Sequence, residues 1–133
     1  MDTWVMPPIM LLYPQMARLI IDSRIRVLDR AKVNAVASGY SGARFPWEQA
    51  VSGVETCPWN LASMYQIHIT ADVSYAMRQY IYVSTTDTVM DLLKNNGSYL
   101  ALEIARFWES RVHKSGNDEN DILDTTRNIK KNF

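Results

Sequence analysis

Only one cysteine, Cys57, occurs in the 133 residues, and its isolation excludes whole classes of protein. A single thiol closes no internal disulfide, so the chain is not a disulfide scaffold and suits a reducing compartment such as the cytoplasm. One cysteine holds no metal alone, and the chain's two histidines, His68 and His113, lie far from it in sequence. No metal site and no cofactor are therefore expected. Neither sign of charge is in excess, because 14 basic side chains balance 14 acidic ones. Without a basic run to follow a phosphate backbone, no nucleic-acid partner is expected. Long apolar runs are also missing. The stretch "VMPPIMLLY" near the start is interrupted by Pro7 and Pro8 and has no basic flank. It reads as neither a signal peptide nor a membrane span. A Gly-rich phosphate loop, a Walker motif, zinc spacing and a nucleophile elbow are all absent.

What remains is a globular composition, 47% hydrophobic and 21% charged, of a length that suits one domain. Helical periodicity dominates. A first helical stretch is predicted from about Pro14 to Ser38, closed by Gly39, with Ala17, Ile20, Ile21, Ile25 and Leu28 on one side. Asp29 is a candidate restart within it, as an N-cap that splits the stretch in two. A second helix is predicted from Tyr65 to Ser84, with Ile69, Val73, Met77 and Tyr80 facing one way. A short helix from Asp87 to Asn95 and a third full helix from Ser98 to Val112 follow. The third helix is expected to bury Leu102, Ala105, Phe107 and Trp108 to varying degrees, with Glu103 and Glu109 on exposed faces. Residues from about 114 to 133 read as a loop and frayed tail. The fold class is all-α. So few helices cannot cover so many aromatics, which implies that they belong to a larger helical assembly.

Between the first two long helices lies "FPWEQAVSGVETCPWN", residues 45 to 60. Its prolines and glycine mark a loop, yet it carries two tryptophans that a loop would not normally show to water. Trp47 beside Glu48 pairs a ring that can pack on the C–H face of a sugar with a carboxylate that can accept from its hydroxyls. The commoner reading of such a pair is a core anchor beside an acid that complements a helix dipole. Asp2 and Trp4 repeat the pairing near the start of the chain. Gln66 and His68, in "YQIHITAD", fall in the first turn of the predicted second helix and could point from its end into a cavity. A histidine so placed is more often a hydrogen-bonded structural residue than a catalyst.

Four segments, "DTWVMPPIMLLYP", "GYSGARFPWEQAVSGVETCP", "IHITADVSYAMRQY" and "ARFWESRV", fall in the order and spacing of glycoside hydrolase family 65. The resemblance covers about residues 2 to 124 and is nearest to the acid-trehalase-like branch. It implies part of an (α/α)6 barrel, of the six-hairpin glycosidase type, with residues 1–133 forming an incomplete piece of one catalytic domain. It implies an inverting hydrolase of glucosyl-galactosyl-hydroxylysine or a related α-glucoside, with Asp2, Trp4, Trp47, Glu48 and His68 as substrate contacts. It also places the general acid at position 66, where this chain has Gln66, and a second carboxylate beyond Phe133. An amide has no titratable proton to donate near neutral pH. A truncated, catalytically incomplete form is therefore expected. The alternatives are a non-catalytic carbohydrate-binding remnant and a helical interaction module that associates through exposed apolar helix faces.

Overall fold

The computed structural model describes residues 1–112, and the predicted tail from about 114 to 133 lies outside the described residues. Seven α-helices appear there: α1 Met6–Leu12, α2 Pro14–Arg26, α3 Leu28–Ala37, α4 Asn60–Tyr65, α5 His68–Val83, α6 Thr86–Leu92 and α7 Ser98–Arg111. A kinked corner, Leu93–Gly97, in which Asn95 and Asn96 leave helical φ/ψ, joins α6 to α7. The described residues contain no strand, only an isolated antiparallel bridge between Gln49 and Glu55. The fold class is all-α, as expected.

The two prolines that interrupt the first apolar run do not prevent a helix there. Pro7 and Pro8 sit in the first turn of α1. First-turn N–H groups have no intrahelical acceptor, so a proline there forfeits nothing and arrives with helical φ already set. The split in the first predicted stretch is real but falls at Val27, with φ −100° and ψ 11°, and Asp29 then lies inside the first turn of α3. Gly39 closes α3 at φ +82°. Its N–H donates to Val36 O at 2.9 Å and that of Tyr40 to Ala35 O at 3.0 Å. This pair of reverse bonds satisfies the last carbonyls, and glycine takes the left-handed position without Cβ strain.

Helix α5 packs against α1, α2 and α7. Its buried line of Thr70, Val73, Ala76, Met77 and Tyr80 follows the predicted face. On α7 the buried line is Leu100, Glu103, Ile104 and Phe107, whereas Leu102 and Ala105 face outward. The expectation of an exposed Glu103 is thus corrected. This buried carboxylate accepts from Arg106 Nη1 at 2.5 Å, one turn on, which supplies the counter-charge that burial demands. Phe45, Phe107, Met6, Leu92, Leu100 and Thr70 are the largest fully buried side chains.

Loop 39–59 is fastened across the ends of these helices. Ala43 N donates to Glu103 O and Arg44 N to Ala31 O, both at 2.9 Å, and Phe45 N donates to Thr70 Oγ1 at 3.0 Å. Phe45 enters the core while Trp47, two residues on, remains 40% exposed. The loop's aromatic content thus divides into one buried anchor, Phe45, a half-buried Tyr40 and two indoles left at the surface, Trp47 and Trp59.

Candidate functional site

The loop folds back on itself between residues 48 and 56. Thr56 N donates to Glu48 O at 2.9 Å and Ala50 N to Val54 O at 3.0 Å. One carboxylate holds the two limbs together. Glu55 accepts from the main-chain N–H of Trp47 at 2.7 Å, Glu48 at 2.9 Å, Thr56 at 3.1 Å and Cys57 at 3.0 Å. Charge-assisted bonds of this kind are about twice as strong as neutral ones. Glu55 therefore sets the backbone from which Trp47 and Glu48 project. It was not among the expected site residues, and no spacing rule marks it, because its donors come from both limbs of the turn.

Opposite Trp47 stands His68, the first residue of α5, with ring centroids 5.6 Å apart and ring planes inclined at 63°. His68 Nε2 lies 3.8 Å from Asp72 Oδ2 one turn further along the helix. Helix α4 ends at Tyr65, and Gln66 forms the corner before α5 with φ −78° and ψ 59°. The predicted single helix from Tyr65 to Ser84 therefore begins at His68, and Gln66 lies on the turn that precedes it. Gln66 N donates to Ala62 O at 3.0 Å, while its side chain has no hydrogen-bond partner among the described residues. The Glu48 carboxylate likewise has none, although both of its main-chain groups are bonded. Trp47 and His68 thus meet in a rim between the loop and the start of α5, with Glu48 and Gln66 next to them along the chain.

Asp2 is placed differently. It is buried and meets Arg24 of α2 twice, at 2.5 Å from Nη2 and 3.2 Å from Nε. Arg24 Nη1 donates in turn to Gln49 Oε1 at 2.5 Å, and its guanidinium lies 5.8 Å from the centre of the Phe45 ring. A fork-on-fork pair of this geometry fixes orientation as well as charge. Arg24 therefore ties the N-terminal turn, α2 and the aromatic loop together. Trp4, two residues after Asp2, is 86% exposed, and no ring contact joins it to Trp47 or His68. Arg24 and Gln49 were also missed as contributors, since neither stands beside the residues it organises in sequence.

No group of three or more His, Cys, Asp or Glu capable of holding a metal occurs among the described residues. No described helix is long and apolar enough to cross a membrane. The rim combines an exposed indole, an imidazole with a nearby carboxylate, a free carboxylate and a primary amide. Such a set can stack on an apolar ring face and exchange hydrogen bonds with hydroxyls.

Residues 1–126 match a family described as the glycosyl hydrolase family 65 central catalytic domain. The chain is 45% identical over 112 residues to the protein-glucosylgalactosylhydroxylysine glucosidase of Gallus gallus, covering 84% of this chain and 16% of that protein. It is 41% identical over 122 residues to the kojibiose hydrolase of Flavobacterium johnsoniae, covering 91% and 18%. It is 36% identical over 121 residues to the kojibiose phosphorylase of Caldanaerobacter subterraneus, covering 83% and 15%. The chain spans less than a fifth of the length of each of these relatives.

Proposed function

Because the chain belongs to glycosyl hydrolase family 65, we propose that its helices supply the sugar-holding wall of an α-glucoside-processing site. Trp47 offers its indole face to the C–H side of a glucosyl ring, and Glu48 and His68 take its hydroxyls. The observation that carries this reading is the contact between Trp47 and His68 at 5.6 Å, with Trp47 40% exposed beside the unpartnered Glu48 carboxylate. Asp2, buried against Arg24, acts by fixing the N-terminal turn from which the exposed Trp4 contributes. The substrate is glucosyl-galactosyl-hydroxylysine or a related α-glucoside.

The same reading makes this chain, alone, a binder that does not turn substrate over. An inverting hydrolase needs a carboxylic acid and a second carboxylate, spaced about 6.5–9.5 Å apart to admit a water. Gln66 stands at the position read as the acid, and an amide donates no proton there. Asp2 is committed to Arg24 and Glu55 to four main-chain N–H groups, which leaves Glu48 and Asp72 as the carboxylates beside the Trp47–His68 contact. Titration calorimetry with kojibiose, together with an assay for released glucose, tests both halves. Saturable binding that Trp47→Ala abolishes, without glucose release, is the expected result. Binding that survives Trp47→Ala would remove the indole from the site. Glucose release that disappears on mutating Gln66 would overturn the claim of inactivity.

A further inference from the structure

Three of the described arginines meet carboxylates directly: Arg18 pairs with Asp22 and Asp91, Arg24 with Asp2, and Arg106 with Glu103. Among the described residues, Arg44 is held by uncharged acceptors and Arg111 rests on an aromatic ring. Arg44 donates to Ser38 Oγ, to Ser63 O at 2.5 Å and to Met64 O at 3.0 Å. The guanidinium of Arg111 lies over the Tyr40 ring at 5.1 Å, and that ring is itself set edge-on to Phe107 at 5.8 Å. The two arginines line one cavity of about 390 Å³, together with Ser38, Tyr40, Tyr65 and Ile67. Among the described residues, no acidic side chain is part of its wall.

We propose that this cavity, between α3, the α4–α5 corner and the end of α7, binds a small oxyanion bearing a carboxylate or phosphate group. Two guanidiniums fixed by neutral groups keep their full charge, and each planar fork matches a carboxylate or phosphate edge. An anion between them turns a repulsion into two attractions. The repulsion registers on Arg44: burial, and then the Arg111 charge, hold its guanidinium below the ordinary arginine range, with Glu55 offsetting part of the effect. The volume lies within the range of about 300–1,000 Å³ usual for small-molecule clefts. Met64 and Ile67 supply apolar wall, so there is room for an organic body behind the charged group. Neither the Trp47 nor the His68 ring lines the cavity, although Tyr65 and Ile67, on either side of Gln66, do.

The test uses the whole chain with inorganic phosphate and with acetate, each compared with chloride at equal ionic strength. Arg111→Gln is the informative variant, because Arg44 also holds the end of α4 and its loss would confound folding with binding. The thermal midpoint is expected to rise saturably with phosphate or acetate, with half-saturation on the order of millimolar. Which of the two anions acts identifies the preferred group. Arg111→Gln should weaken the effect about tenfold or more, the usual consequence of losing a charged hydrogen-bond partner. A second measurement needs no variant: phenylglyoxal labelling read by peptide mass should slow at Arg111 when the anion is present and stay unchanged at exposed Arg78. Stabilisation no greater than with chloride, undiminished binding by Arg111→Gln, or equal protection of Arg78 would each overturn the proposal.

Discussion

Gly42 has φ +76°, and a Cβ built on it would lie 2.3 Å from both Glu103 O and Phe107 N. Those are backbone atoms of α7 and cannot swing aside, so the loop must lift off the helix to admit any side chain. Gly42→Ala is expected to destabilise the chain by about 3 kcal/mol or more, through overpacking added to left-handed strain. Chemical denaturation checks the size, and a loss below about 1 kcal/mol would mean that the loop relaxes without penalty. At Glu55 the expected effect is local. Glu55→Ala strands four N–H donors, but they lie at the surface, where water can replace the carboxylate. A global loss of about 1–2 kcal/mol should accompany faster proteolytic nicking of residues 46–58, with Glu55→Gln in between. These two residues show why the sequence discloses types of side chain better than their partners. Trp47, Glu48 and His68 could be singled out by chemistry, whereas Arg24 and Asp2 are 22 residues apart and meet only through the tertiary fold.

Among the elements, periodicity located α2, α5 and α7 and the buried face of α5, because burial of an apolar stripe is what makes those helices stable. Breaks within the helical stretches were harder to place. Val27 and Gln66 interrupt predicted helices without a proline or glycine; Asp29 signals the first break two residues late, and the second has no breaker residue to mark it. The break before α7 was legible, since "NNG" is a turn signal, and the geometry shows how it works. Asn96 takes φ 69° and ψ 5° at the kink between α6 and α7, a conformation asparagine tolerates better than most residues. Asn96→Val should therefore cost about 1–2 kcal/mol, while Asn96→Gly should be neutral or slightly stabilising. If both substitutions lower the melting midpoint equally, the Asn96 side chain rather than its backbone holds the corner.

For the molecule as a whole, the distribution of apolar surface decides how it behaves in solution. The N-terminal hairpin of α1 and α2 buries Met6, Ala17 and Ile21 but leaves Leu11 82% and Leu12 71% exposed, with Tyr13, Met16 and Leu19 also exposed. Scattered exposed leucines are ordinary, whereas a run of them around one helix corner is a surface that seeks cover. The formal net charge is zero and the sequence pI is about 6.7, so little long-range repulsion keeps two copies apart near neutral pH. The chain is therefore expected to self-associate in a concentration-dependent way, most strongly near that pH and less so a unit or two away. Leu11→Gln combined with Leu12→Gln should raise the monomer fraction while shifting stability by no more than about 0.5 kcal/mol, as is usual for surface positions. Sedimentation velocity at several concentrations reads the first effect and thermal unfolding the second. Persistent association at unchanged strength would move the sticky surface elsewhere, to the outward side of α5 and its neighbours, where Tyr75, Tyr82 and Val83 are also exposed. A stability loss well beyond 0.5 kcal/mol would instead show that Leu11 and Leu12 pack within the monomer.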